Sequence, residues 1–206
     1  MPRKNESFRE IWQDVKKGLK VQATILLGFV SLLWLLELVD TFLLLGYLDR
    51  FGIRPRQVEG LWGIFTAPFL HGGIGHLAAN TGPLLALGWF VMWRRTRDWF
   101  LVALIGSVIG GLGVWLVGAG NSIHIGASIL CFAFLGYLML RGWFDRRVVP
   151  IVGSIVIAGL YGGLLFGVLP GQTGISWEGH LFGFLGGIVA ARLLAKSSAA
   201  SKTATA

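Results

Sequence analysis

The sequence predicts an all-α polytopic membrane protein with six transmembrane helices. Hydrophobic residues make up 54% of the 206-residue chain, and the mean hydropathy is +0.70, well above that of a soluble globular domain. The apolar residues gather in stretches long enough to cross a bilayer core about 30 Å thick. The 31 glycines favour close packing of helices within a membrane.

Six apolar stretches define the predicted spans, at residues 21–47, 70–93, 99–117, 128–140, 148–168 and 179–195. Residues 1–20 form a basic amphipathic segment before this membrane domain of residues 21–195, and residues 196–206 form a small polar tail after it. The fourth stretch is short, because thirteen residues of helix extend only about 20 Å. The preceding residues 118–127 are therefore expected to dip into the membrane as a loop that is buried in protein or lines a wet cavity.

The basic residues predict the orientation of these spans. The net charge is +8, and most lysines and arginines fall before span one, between spans two and three, between spans four and five, and after span six. On the other side fall Arg50, Arg54 and Arg56. The positive-inside rule therefore places both termini in the cytoplasm, and the compact form suggests a prokaryotic inner (plasma) membrane. This charge distribution indicates a lipid-embedded topology and no nucleic-acid surface.

Polar residues stand where spans two, four and six begin, on the predicted external side. His71, His76 and Asn80 open span two, Ser128 opens span four and His180 opens span six. Polar groups are costly in hydrocarbon and are usually functional there. A serine hydroxyl is a poor nucleophile until a base takes its proton, and imidazole titrates near neutral pH. The pattern predicts a catalytic dyad of Ser128 and His180, with no acidic third member.

The same segments carry donors for a developing oxyanion. Ser128 begins a helix, so unpaired backbone N–H groups lie beside it. His76 and Asn80 are four residues apart, share one helix face and both carry N–H donors. The predicted oxyanion site therefore combines Ser128, His76 and Asn80, whereas His71 is expected to tie the preceding connection to span two.

These motifs resemble those of the rhomboid intramembrane serine proteases. The resemblance covers roughly residues 50–195 and is carried by residues 71–80, 126–128, 132 and 179–187. It implies a rhomboid-like bundle of six helices in which Ser128 is the nucleophile, His180 is the base, and His76 and Asn80 assist the oxyanion. Further supporting positions implied by the resemblance are Gly126, Phe132, which packs on the base, and Gly183 and Gly187, which let the serine helix approach.

The resemblance also implies what the protein acts on. The expected substrates are single-span membrane proteins whose helix unwinds near its outer end, reaching the site laterally near spans two and five. No organic cofactor or metal is expected, and the zinc-protease pattern His-Glu-x-x-His is absent from the sequence. The oligomeric state is not predicted by any pattern in the chain.

Two alternatives remain open. Rhomboids usually follow the serine with glycine or another small residue, but here Ile129 follows it, which is expected either to narrow the substrate pocket or to shift the preferred substrate residue. A non-catalytic rhomboid-like protein that binds membrane helices is therefore one alternative, and a transporter or channel with the histidines in its pore is another. Glu37 and Asp40 within span one are expected to anchor the following loop, through Arg50, Arg54 or Arg56, in preference to a proton relay.

Overall fold

The computed structural model describes residues 8–172 and 174–203, and across these the regular elements are all helical. We number the α-helices in chain order: α1 Phe8–Val39, α2 Gly63–Thr66, α3 Ile74–Met92, α4 Thr96–Val117, α5 Ser128–Asp145, α6 Val148–Tyr161 and α7 Trp177–Thr203. A π-helical turn, Asp40–Leu44, extends α1, and a 3-10 helix, Gly162–Val168, extends α6.

Six long helices form the bundle, which confirms the predicted fold class. Within the described residues, α1, α4, α5, α6 and α7, with their extensions, are long and apolar enough to cross a membrane. The remaining helix, α3, is 19 residues long and would extend about 28 Å, but His76, Asn80 and Thr81 lower its mean hydropathy. It nevertheless buries Leu77, Leu84 and Leu87 completely or nearly so.

The helix α5 occupies the centre of the bundle. Every residue from Ile129 to Tyr137 is buried, as expected for a helix that is apolar on all sides. Its backbone comes unusually close to that of α7, since a Cβ added at Gly183 would lie only 2.6 Å from the carbonyl oxygen of Ile129. Glycine is therefore required at this crossing, and the two helices are held in one register.

The span starting at Ser128 is longer than predicted. α5 has 18 residues because Arg141, which the sequence predicts to lie beyond the span, is buried within the helix. Its Nε donates to Asp145 at 2.8 Å, and Arg94 also bonds Asp145 at 2.7 Å. The depth of Ser128 below the membrane surface therefore does not follow from a short helix, although residues 118–127 are irregular as expected.

The acidic residues at the end of α1 anchor the next loop, but not through arginine. Asp40 accepts a bond from the backbone N–H of Leu48 at 2.9 Å, and Glu37 accepts one from the Thr41 hydroxyl at 2.9 Å. The expected arginine pairing was wrong, because the ion pairs of the described residues include none between these two carboxylates and Arg50, Arg54 or Arg56. Arg50 lies over the Tyr47 ring instead, with 3.5 Å between guanidinium carbon and ring centroid. A backbone donor needs no second buried charge and so anchors the loop without an ion pair.

Both predicted terminal segments continue the neighbouring helices where they are described. α1 runs from Phe8 through residue 20 without a break, and α7 extends past residue 195 to Thr203. Residues 1–7 and 204–206, parts of the predicted basic segment and tail, lie outside the described residues.

Candidate active site

The starts of α3, α5 and α7 lie together at one end of the bundle. The backbone N–H of Ala127, just before α5, donates to His71 Nε2, just before α3, at 3.2 Å. His124, also before α5, lies 2.7 Å from the hydroxyl of Ser176, just before α7. The three polar helix starts identified in the sequence are therefore neighbours in the fold, with His71 holding the segment before Ser128.

Ser128 is the first residue of α5 and follows a strained turn. Gly126 has φ of +125°, which is open to glycine and strongly unfavourable for residues with a side chain. A Cβ at this position would lie 2.8 Å from His76 Nε2 and 3.6 Å from Ser128 Oγ. Gly126 thus permits both the turn and the approach of α3, and His76 and Ser128 face the same small gap.

The hydroxyl and the backbone N–H of Ser128 make no hydrogen bonds with the described residues. Its hydroxyl is half-buried and makes no hydrogen bond with any described residue. No side chain caps α5, and the backbone N–H groups of Ser128 and Ile129 find no acceptor among the described residues. Such N–H groups at a helix start, with the positive end of the helix dipole, attract negative charge.

His180 is held with one ring nitrogen free. Its Nδ1 lies 2.9 Å from the carbonyl oxygen of Gly167, and because a carbonyl only accepts, Nδ1 carries the proton. The neutral ring then presents an unprotonated Nε2, which is a base. The imidazole stacks on Phe132, with centroids 4.1 Å apart and planes 11° from parallel. His180 is only 9% exposed.

The register of α5 and α7 brings His180 to the Ser128 end of the helix pair. Phe132, on which His180 stacks, is one helical turn after Ser128, and Gly183 opposes Ile129. No hydrogen bond joins the Ser128 hydroxyl to His180 in the described part of the chain. Catalytic hydrogen bonds are often long in enzymes without substrate and tighten only in the complex.

His76 and Asn80 line α3 beside the start of α5. His76 Nδ1 accepts a weak bond from the Gly72 backbone N–H at 3.4 Å, so its Nε2, which faces the gap at Gly126, is the donor. The Asn80 amide donates to the His76 carbonyl at 3.2 Å, and the Cys131 thiol lies 3.9 Å from its Oδ1. Asn80 is buried, with a second amide hydrogen still available.

Two further positions from the sequence analysis, the supporting Gly187 and the departing Ile129, both pack between helices. Gly187 opposes Ala133 and Tyr137, deeper in the α5–α7 crossing. Ile129 lines a small cleft beside Ser128 with a volume of about 20 Å³, roughly the space of one water molecule. The Ile129 side chain also fills the space beside Gly110 of α4, so it is packed on the bundle side as well.

Sequence reasoning missed Gly167 and gave little weight to His124. Gly167 lies in the 3-10 helix after α6 and touches His180 and Phe132 through space. Nothing local marks such a contact, because it depends on where α6 packs. A histidine in a loop, such as His124, is most often simply solvated, but both ring nitrogens of His124 are hydrogen-bonded in the structure.

Comparison with known proteins shows the family of this chain. A model of the Rhomboid domain matches residues 58–197. An uncharacterized protein of Mycobacterium tuberculosis is 44% identical over 182 residues, which is 84% of this chain and 75% of that protein. An uncharacterized protein of Mycobacterium leprae is 39% identical over 203 residues, 94% of this chain and 80% of its own. RHOMBOID-like protein 7 of Arabidopsis thaliana is 32% identical over 149 residues, 69% and 44% of the two chains. The chain belongs to the rhomboid family.

Proposed function

We propose that this protein is an intramembrane serine endopeptidase in which Ser128 is the nucleophile and His180 the base. One observation carries the proposal. His180 donates from Nδ1 to Gly167 and stacks on Phe132, one turn after Ser128, which leaves Nε2 as a free acceptor on an imidazole at the Ser128 end of α5, where the serine hydroxyl is unbonded. Activation by a neighbouring imidazole is what a serine needs to attack a peptide carbonyl at neutral pH.

The proposed reaction follows from the positions of these groups. His180 Nε2 takes the Ser128 proton as Oγ adds to the carbonyl carbon, and the imidazolium then returns that proton to the leaving amine. Water hydrolyses the resulting acyl-enzyme with the same base. The proposed oxyanion donors are the Ser128 backbone N–H, His76 Nε2–H and the free Asn80 amide hydrogen. In other enzymes, one such donor stabilises the transition state by roughly 3–4 kcal/mol.

The proposed substrates are transmembrane or juxtamembrane segments of single-span membrane proteins. A peptide bond inside a helix is shielded by its own backbone bonds, so a substrate must unwind near the site. We place substrate access between α3 and α6. Near the far end of α5, the Ser154 hydroxyl of α6 donates to the Leu138 carbonyl at 2.7 Å and accepts the Gly142 N–H at 3.0 Å, so α6 is fixed to α5 at the end remote from Ser128.

The test uses purified protein, a fluorophosphonate probe and a single-span substrate in proteoliposomes. Wild type is expected to be labelled and to cleave. Ser128→Ala should abolish both, His180→Ala nearly so, and Asn80→Ala should slow cleavage about 10²–10³-fold as one oxyanion donor. The matched control is Ser31→Ala, since Ser31 is exposed on α1. Labelling that persists in Ser128→Ala, or a wild type that is neither labelled nor active, rejects the proposal.

A second candidate is a rhomboid-like protein that binds membrane segments without cutting them. The observation in its favour is the absence of a Ser128–His180 hydrogen bond between these described residues. This alternative predicts that the single-span substrate co-purifies with wild type and with Ser128→Ala equally, without probe labelling of either. A difference in labelling between these two proteins decides against it.

A further inference from the structure

His124 joins two segments that flank the proposed dyad. It lies in the loop before α5, and both its ring nitrogens contact serine hydroxyls, Ser122 Oγ at Nε2 and Ser176 Oγ at Nδ1, each 2.7 Å away. Its backbone is fixed as well, because His124 and Ile53 exchange both N–H···O bonds at 2.9 Å. Both ring nitrogens of His124 are therefore occupied by serine hydroxyls, and its backbone is held by Ile53.

The neighbouring carbonyl sets the direction of every bond in this link. Ser122 Oγ lies 2.6 Å from the carbonyl oxygen of Ala119, which can only accept, so the single Ser122 proton is used there. Ser122 must then accept from His124 Nε2–H. A neutral imidazole has one N–H, so Nδ1 is unprotonated and accepts the Ser176 hydroxyl proton.

Ser176 is the cap of the helix that carries the base. Its Oγ accepts the backbone N–H of Gly179 at 3.2 Å, the usual bond of an N-cap serine to the third helical residue. Its carbonyl accepts the His180 N–H at 3.1 Å. The chain of bonds thus runs from α7 through Ser176 and His124 to the loop that precedes α5.

We infer that His124 is a positioning residue that sets the separation of Ser128 and His180 by holding the cap of α7 against the nucleophile loop. His124 stands four residues before Ser128, and Ser176 stands four residues before His180. One hydrogen bond between these two positions therefore fixes the two helix starts that must meet. The inference rests on the proposed function, because positioning matters only if the two residues react together.

The charge state of His124 fits this link. Burial lowers the pKa of His124, with Glu178 of α7 acting in the opposite direction. The ring is therefore neutral near neutral pH, with the single N–H that the bond directions require. A protonated ring would donate from both nitrogens and would displace the Ser176 hydroxyl proton from its acceptor.

Substitutions separate the two halves of the link. His124→Asn can place an amide oxygen near the Nδ1 position and keep the bond from Ser176, whereas His124→Gln can place an amide nitrogen near Nε2 and keep only the bond to Ser122. We expect His124→Leu, His124→Gln and Ser176→Ala to slow fluorophosphonate labelling of Ser128 roughly 10- to 100-fold, since misplacement of about 1 Å costs up to 10²-fold. His124→Asn, and the control Asn121→Ala at an exposed residue of the same loop, should stay within about threefold of wild type. Thermal midpoints are measured for each variant.

Two results overturn the inference. The first is a His124→Leu variant that is labelled at the wild-type rate. The second is a His124→Asn variant whose labelling slows as much as that of His124→Leu, because the bond from Ser176 would then not matter for positioning. If the variants fail to fold, nitrogen NMR of histidine-labelled wild type decides, with the His124 ring signals assigned through correlations to the His124 backbone. Protonated Nε2 supports the link and protonated Nδ1 rejects it. Wild type that never reacts with the probe rejects the proposed function instead, and the His124 tautomer then tests the link separately.

Discussion

His76, beside Gly126, and His180, stacked on Phe132, have opposite hydrogen-bonding capacities at Nε2. His180 donates from Nδ1 to the Gly167 carbonyl, so its Nε2 accepts. His76 accepts at Nδ1 from the Gly72 backbone, so its Nε2 donates. A single backbone partner at Nδ1 therefore makes His180 suited to be a base and His76 suited to be an oxyanion donor, since the partner of one ring nitrogen decides whether the other carries the proton.

Asp49, in the turn after α1, gives a pH-dependent prediction. Its Oδ1 is buried without a hydrogen-bond partner among the described residues. Burial first, and then the carboxylates of Asp40 and Glu37, raise the pKa of Asp49 to about 6. The unfolded chain loses this proton at lower pH than the folded protein, so the contribution of Asp49 is most favourable below its ordinary pKa and is lost as pH rises through about 6.

We expect Asp49→Asn to raise the thermal midpoint of the detergent-solubilised protein at pH 8, and to raise it less at pH 5. Asp14→Asn, on the exposed face of α1, is the control and should show no such difference. An Asp49→Asn midpoint that shifts equally at both pH values would contradict the assignment of a raised pKa.

At the scale of elements, α4, α5 and α7 meet around Ile129. A Cβ added at Gly110 of α4 would lie 2.5 Å from Ile129 Cδ1, and Gly183 of α7 touches the same side chain. Ile129 thus fills space that Gly110 leaves empty. The bulky residue after the serine is matched by a glycine on the facing helix, which is a packing reason for its presence.

This complementarity predicts coupled substitutions. Gly110→Ala should destabilise by about 1–3 kcal/mol through overpacking, and Ile129→Ala by about 2–5 kcal/mol through the cavity it leaves. The double variant should lose less free energy of unfolding than the sum of the two single losses, by about 0.5–3 kcal/mol, because the added methyl group enters the new cavity. Denaturant unfolding in detergent measures all three. As a control, Gly110→Ala is combined with Ile155→Ala, at an exposed residue of α6, and the two losses in free energy of unfolding should add. If the losses at Gly110 and Ile129 also add, the proposed packing of these two residues against each other is wrong.

Local pattern predicted some helix boundaries closely and misplaced others. α5 and α6 begin at Ser128 and Val148 as the sequence indicates, because polar or basic residues there are followed at once by apolar ones. The end of α5 was misplaced because Arg141 has the pattern of a cytoplasmic cation, whereas Asp145 and Arg94 accompany it in the fold. A charged residue reliably marks the end of a membrane-spanning helix only where its side chain is exposed to water.

At the scale of the whole molecule, the distribution of basic residues predicts the orientation in the membrane. In a Cys131→Ala background, Val58→Cys, 72% exposed in the loop between α1 and α3, should react with an impermeant maleimide in intact cells. Arg147→Cys, in the turn between α5 and α6, should react only after the membrane is opened. The reverse pattern would show the termini outside and would place the Ser128 end of the bundle in the cytoplasm.

The sequence by itself determined the class of protein, the number of long helices and the residue types at the starts of α3, α5 and α7. These features are local, because hydropathy, charge and the cost of a polar group in hydrocarbon act within one segment. Only the tertiary structure decided that Gly167 meets His180 and that His124 bridges Ser122 and Ser176. Those contacts depend on how separate helices pack, and the packing in turn decides which ring nitrogen carries the proton.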